Sequence, residues 1–330
     1  MDSDLPPDAE PSTATGPTGT ASTTGPAGSA AGGPPTEAVR PEWSDLDRMT
    51  TLDLVRLMNA EDRTVAEAVA GQLEPIAAAA DAIAARMGRG GRLVYAGAGT
   101  AGRLGVLDAS ECAPTFSTAP GQVVGLIAGG PAALVGAVEG AEDRPELALA
   151  DLDALALTAA DSVVGVSASG RTPYTVAALR RARATGALTV GLACNRGSAL
   201  VAAAELGIEV ETGPEVLAGS TRLKAGTAQK LVLNLLSTAV MVRLGRTYGN
   251  LMVDVRANNA KLRDRAHRIV ALATGADEET VRSALAATRG AAKDAVLVVL
   301  AGVDAPTAGR LLAASGGRLR EALESARAQG

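Results

Sequence analysis

Along the middle of the chain, short apolar runs alternate with stretches whose apolar residues recur at helical spacing. The runs are 93–96 (LVYA), 122–128, 162–167 (SVVGVS), 188–193 (LTVGLA) and 206–211 (LGIEVE). Continuous apolar runs of this length, bounded by glycine or polar clusters, predict strands buried on both faces, and the intervening helical stretches predict parallel crossovers. The fold class that follows is α/β: a parallel five-stranded sheet with helices on both faces. Upstream, 51–58 and a longer segment over 65–87 carry apolar positions at helical spacing, with Asp62 and Thr64 as candidate caps. Residues 1–40 show no apolar period and are dominated by Pro, Gly, Ala, Ser and Thr, which predicts a disordered tail.

In such a sheet, ligands sit beyond the carboxyl ends of the strands. Three stretches lie there. After the first run, Gly97 and Gly99 permit a tight turn, Thr100 can cap a helix and offer a hydroxyl, and unpaired N–H groups at the helix start would face a phosphate. Gly97, Gly99 and Gly102 also match the G-x-G-x-x-G spacing of a dinucleotide site. The second run, however, ends in Gly129-Gly130-Pro131 with no acid for a ribose, which argues against that reading. After the third run, Ser167, Ser169, Gly170 and Thr172 can surround an anion, although an ordinary capped turn has the same composition. The stretch 213–230 gathers Glu215, Ser220, Thr221, Arg222 and Lys224 before an apolar helix and reads either as an anion site or as a solvated helix entry.

The chain opens Met1-Asp2-Ser3-Asp4, without the basic region of a secretory signal, and even 231–242 is interrupted by Asn234, Ser237 and Thr238. The expectation is a soluble, cytoplasmic protein with no membrane partner. A net charge of -5 and 2% aromatic residues give no support to nucleic-acid binding. Cys112 and Cys194 lack metal-ligand spacing, and His267, the single histidine, lies past the sheet in a basic helical stretch. No metal or cofactor is expected, and acid/base work falls to carboxylates. Glu111 closes the helix launched at Gly99, which Pro114 should stop. Glu139 and Glu142 lie three apart, hence on one face of a helix after the second strand. Two carboxylates in one pocket could divide the roles of base and acid, whereas an acidic helix face alone is usually just solvated.

The blocks GAGTAGRLGVLDASECAPTF, VVGLIAGG, AVEGAED, SASGRTPYTVAAL and GPEVLAGSTRLKAGTAQKLVLNLLSTAVM closely resemble the N-acetylmuramic acid 6-phosphate etherase family of the sugar isomerase (SIS) domain superfamily. The similarity runs from about residue 45 to the C-terminus. It implies a SIS domain over 41–264, a homodimer acting on a small sugar phosphate, and cleavage of the D-lactyl ether to N-acetylglucosamine 6-phosphate and D-lactate. By motif, Glu111 matches the proton donor to the lactate oxygen and Glu142 the second catalytic acid, assigned as the C2 base. Glu139 would hold sugar hydroxyls. Gly99, Thr100, Ser167, Ser169, Gly170 and Thr172 would bind the phosphate, with Ser220 and Lys224 as further substrate contacts. The substrate site is expected to borrow residues across the dimer interface. Many SIS domains carry Ser in place of Ala101, and many SIS isomerases carry Glu in place of Arg171, which counts against aldose-ketose isomerisation. A SIS isomerase and a sugar-phosphate-binding regulator remain alternatives.

The C-terminal residues 265–330 contain an internal repeat. GADEETVRSALAATRG (275–290) aligns with GVDAPTAGRLLAASGG (302–317), each copy reading as cap, amphipathic helix and glycine stop. The resemblance implies a small ubiquitin-associated-like helical unit here.

Overall fold

The computed structural model describes residues 33–255 and 260–329. Of the expected tail, 1–32 lie outside the described residues, but 33–40 are part of the fold. Pro35–Glu37 forms a short 3-10 turn and Thr36 is fully buried, with its backbone N–H on Asn195 Oδ1 (3.3 Å) and Asn195 Nδ2 on its hydroxyl (3.1 Å). Such partners lie far away in sequence, and local composition cannot display them.

Two helices open the domain, α1 (Thr51–Ala70) and α2 (Leu73–Met87). Asp62 and Thr64 do not cap: α1 runs through both, and the Thr64 hydroxyl donates to the Glu61 carbonyl inside the helix (2.7 Å). The cap is Thr50, which accepts from Asp53 N. The polar stretch that looks like a break is the exposed face of α1.

The sheet is built from β1 (Leu93–Gly97), β2 (Val123–Ile127), β3 (Ser162–Ser167), β4 (Leu188–Ala193) and β5 (Leu206–Glu209), all parallel in the order β2-β1-β3-β4-β5. The crossovers are α3 (Gly99–Phe116), the short α4 (Ala132–Val135) with α5 (Pro145–Ala154), α6 (Pro173–Ala184) and α7 (Ala199–Ala203); α8 (Lys224–Arg243) follows the last strand. Period-two alternation divides each strand between two cores. Leu93, Tyr95, Val164, Val166, Val190 and Leu192 join α1, α2, α3 and α8 on one face, and Val94, Ala96 and Val163 join α5, α6 and α7 on the other. Glycine sets how closely the layers approach: a Cβ on Gly102 of α3 would stand 2.6 Å from Ile127 Cγ1 and 2.8 Å from the Gly97 carbonyl oxygen.

By length and composition α8 could cross a membrane, contrary to the expectation from 231–242. Its apolar face is taken up by the core instead: Val232, Leu233, Leu236, Val240 and Met241 are buried where α8 packs on α1, α2 and α3. The polar interruptions have partners too, since Asn234 Nδ2 (2.7 Å) and Ser237 Oγ (3.1 Å) both donate to buried Asp108.

A third core belongs to α9 (Ala260–Thr274), α10 (Glu278–Ala287), α11 (Ala292–Ala301), α12 (Ala305–Ala314) and α13 (Leu319–Gln329), and includes Val253 and Val255. A boundary between 264 and 265 would cut α9, so the helical unit starts earlier than the sequence reading puts it. The repeat has matching geometry in its two copies. Asp277 and Asp304 accept from Thr280 N and Thr307 N, each at 2.8 Å, and Gly290 N and Gly317 N close on the Leu285 (2.8 Å) and Leu312 (2.7 Å) carbonyls with φ +79° and +80°. Lys293 ties the unit to the segment after α8, its Nζ donating to Asp254 and to the Gly245 and Gly317 carbonyls.

Candidate active site

The loop after β3 folds into a nest of hydroxyls. Ser167 Oγ lies 2.9 Å from Thr172 Oγ1 and 3.3 Å from Ser169 Oγ, and Gly170 N and Arg171 N donate to the two serine oxygens. Glycine is obligatory at 170: φ is +67°, and a Cβ would stand 2.3 Å from Ser198 Cβ. The loop is bolted to its neighbours, with the Ala168 carbonyl accepting from Cys194 N (3.0 Å) and Asn195 Nδ2 (2.9 Å), and the Gly170 carbonyl from Leu200 N (2.9 Å). Arg171 is exposed, so its guanidinium is no part of the nest; its backbone N–H is.

Facing the nest is the first turn of α3. Ala98 is the N-cap residue and makes no side-chain cap bond, so Thr100 stands inside the helix rather than capping it. A cavity of about 280 Å³ lies between them, lined by Gly99, Thr100, Ala101, Ser167, Ser169 and Thr172, with Glu142 on its wall. Helix-start N–H groups and four hydroxyls around one space suit a phosphate. A second cavity, about 190 Å³, shares Ala98, Gly99 and Glu142 and adds Arg103, Glu139 and the 136–141 backbone. Glu142 therefore faces both.

Glu139 and Glu142 do not share a helix face. The helix expected there ends with α4 at Val135; Glu139 lies in a turn and Glu142 in the 3-10 turn Ala141–Asp143. Gly136 and Gly140 (φ +71°) break the helix, and Arg103 of α3 fixes the resulting loop by donating to the Leu134 (3.2 Å) and Gly136 (2.9 Å) carbonyls. Sequence reading missed Arg103, because its role is to hold backbone that only the fold brings near.

Other expected site residues stand apart. Glu111 is exposed near the far end of α3, which runs past Pro114 to Phe116 before Ser117 closes it at φ +50°. Ser220 does not line the cavity, although its neighbour Thr221 does. Lys224 is buried with Nζ on Glu61 Oε2 at 2.7 Å, and Glu215 receives the N–H groups of Lys224 and Ala225 (2.9 Å each). The 213–230 cluster is thus a capped helix start with an internal ion pair. Gln229 and Glu37 also line the cavity. Gln229 sits in the GTAQK stretch, where no local signal marks it, and Glu37 in the segment whose composition predicts a tail.

Both cysteines are buried thiols pushed up to about 12 by burial, with Asp108 and Glu111 adding to the effect at Cys112 and Glu215 at Cys194, so neither is poised as a nucleophile. A larger cavity, about 740 Å³, lies between α9 and α10 and is lined by His267 and Arg263, Arg282 and Arg289, away from the carboxyl ends of the strands. Among the described residues no group of His, Cys, Asp and Glu could hold a metal ion.

Residues 75–183 match the glucokinase regulatory protein N-terminal SIS domain, and 144–239 match the SIS domain. An N-acetylmuramic acid 6-phosphate etherase of Streptomyces coelicolor is 72% identical over 88% of this chain and 94% of its own. Those of Mycolicibacterium smegmatis and Rubrobacter xylanophilus are 57% and 60% identical over 87% and 88% of this chain, and 97% and 96% of theirs. Likeness of this degree along nearly the whole of each relative shows that the chain belongs to the N-acetylmuramic acid 6-phosphate etherase family.

Proposed function

We propose that the protein cleaves the D-lactyl ether of N-acetylmuramic acid 6-phosphate by elimination and hydration, with Glu142 as base and Glu111 as acid. The observation that carries this reading is Glu142 on the wall of the cavity that holds the hydroxyl nest. With the phosphate between the α3 start and the nest, the sugar chain extends toward Glu142. In the open-chain sugar the C1 aldehyde acidifies the C2 proton. The Glu142 carboxylate takes that proton, the electron pair forms the C2–C3 double bond, and the C3–O bond breaks. Glu111, as the proposed acid, protonates the departing ether oxygen, which leaves as the hydroxyl of D-lactate. Water then adds at C3 of the unsaturated aldehyde and a proton returns to C2, giving N-acetylglucosamine 6-phosphate. Besides the C3–O bond broken and the one water added, the steps need only proton donors and acceptors.

Glu111 stands roughly 16 Å along the α3 axis from Thr100. Its own chain's cavity is out of reach, so the acid is supplied by the partner in a homodimer whose twofold axis brings the far end of one α3 to the other chain's cavity. The test is D-lactate release from N-acetylmuramic acid 6-phosphate by the purified protein and by Glu142→Ala and Glu111→Ala. Release by the unaltered protein, reduced by at least about a hundredfold in either variant, is expected. Sugar-phosphate binding with no lactate from the unaltered protein would favour a regulator instead.

A further inference from the structure

Gln229 of α8 is only 1% exposed, lines the phosphate-facing cavity, and its carboxamide nitrogen has no hydrogen-bond partner. A buried amide donor left unpaired is costly, so it signals an acceptor that arrives with the ligand. Its place indicates which acceptor. Gly226, one turn earlier on α8, abuts Thr100, since a Cβ there would meet Thr100 Cγ2 at 3.3 Å. Gln229 thus forms part of the cavity wall on the side where α8 meets the α3 start, the place proposed for the phosphate.

Glu37, which is exposed, also lines this cavity. It is held by the strap 34–37, which Thr36 pins to Asn195, the residue that also grips the Ala168 carbonyl beneath the nest. The strap rests on the loop before α8: a Cβ on Gly219, at φ +76°, would stand 2.7 Å from Glu37 Oε2. A carboxylate can only accept hydrogen bonds, and it repels a phosphate. Glu37 therefore suits a hydroxyl of the sugar chain.

We propose that Gln229 and Glu37 are a donor and an acceptor that fix the sugar phosphate end to end, Gln229 on a phosphate oxygen and Glu37 on a hydroxyl of the carbon chain. This rests on the etherase reading for the identity of the substrate. The strap, outside the SIS sheet itself, becomes a wall of the substrate site.

The experiment compares Gln229→Leu, Glu37→Ala and Glu37→Gln. In the lactate assay, the first two are expected to raise KM roughly tenfold while kcat stays within about threefold. Glu37→Gln, which keeps a carbonyl acceptor, recovers part of the loss. Inorganic phosphate should inhibit Gln229→Leu more weakly than the unaltered protein and Glu37→Ala no more weakly. The thermal midpoint of ligand-free Gln229→Leu should be unchanged or higher, because an unpaired donor has been removed, whereas a structural glutamine would lower it. KM values within twofold of the unaltered protein in both variants, or a lowered midpoint with no change in binding, would overturn the proposal. If the unaltered protein releases no lactate, the etherase reading fails by itself. Calorimetric titration with N-acetylglucosamine 6-phosphate then decides the roles of Gln229 and Glu37, with equal affinity in all forms overturning them.

Discussion

The two ends of α3 lie in opposite surroundings. At its start, Gly97 and Gly102 let the helix touch the strand, Ala101 and Gly102 are buried, and the backbone faces a cavity closed by hydroxyls. At its far end, Ser110, Glu111, Ala113 and Pro114 are exposed. The cavity proposed for the phosphate is lined within one chain, while the acid proposed for the same reaction is exposed. Under the proposed mechanism one chain is half a site, and the contrast can be broken most directly by mixing subunits. Glu111→Ala and Glu142→Ala proteins, each inactive alone, are unfolded together, refolded and assayed for lactate. Random pairing makes half of the dimers mixed, each with one intact site, so about a quarter of normal activity returns. No recovery would place both glutamates in one chain's site.

The near end can be disrupted alone through Gly170. Gly170→Ala forces a methyl onto Ser198 at a positive φ, displacing the loop that holds Ser167, Ser169 and Thr172. A shift of about 1 Å in a positioning loop costs roughly a hundredfold in kcat/KM. The loss should fall mainly in KM, which steady-state kinetics read directly.

How far the sequence discloses such a site depends on the range of the forces involved. Five strands and their crossovers are legible because continuous apolar runs and glycine boundaries are local signals, although only β1, β3 and β4 are buried throughout and the edge strands β2 and β5 are partly exposed; the repeat at 275–290 and 302–317 is legible through its caps and stops. The convergence of Thr100, Ser167, Ser169 and Thr172 follows from the strand-end rule. Arg103 and the anchoring of Thr36 on Asn195 are not legible, because each depends on two segments meeting in space. Lys224 illustrates the converse. A cation among glycines and hydroxyls resembles an anion ligand until the fold supplies Glu61 as its partner.

Between the two ends of α3, Asp108 fastens the helix to the sheet and to α8. Burial, the largest influence, pushes its carboxyl up from the ordinary range, while hydrogen bonds from Tyr95, Asn234 and Ser237 act against that. Asp108→Ala strands two buried donors, the Tyr95 and Ser237 hydroxyls, and frees the exposed Asn234 amide, and denaturant unfolding should show a loss of about 3 kcal/mol. Both ends should suffer together, with lactate release and phosphate inhibition weakened in one variant. Loss of stability with both functions intact would mean that α3 does not carry them as a rigid unit.

The amino ends of the strands supply the control, a strong polar interaction with no part in the proposed site. Asp161, just before β3, receives two hydrogen bonds from the Arg92 side chain (3.0 and 2.7 Å) and others from Arg92 N and Thr158 N (2.9 and 2.8 Å). Burial pushes its carboxyl upward. The Arg92 and backbone hydrogen bonds outweigh this, and its pKa falls from 3.8 to about 2. The folded protein therefore binds this proton less tightly than the unfolded chain does. The stabilisation is complete above the unfolded value and is lost as pH falls from about 4 toward 2. Asp161→Asn should lower stability at neutral pH by about 1–2 kcal/mol and flatten the acid limb of a plot of stability against pH. KM and kcat for lactate release should stay unchanged, because the amino ends of β1 and β3 lie away from the cavity. A changed KM would mean that strain passes from the amino to the carboxyl ends of the strands, and the separation between a stabilising end and a working end would then fail.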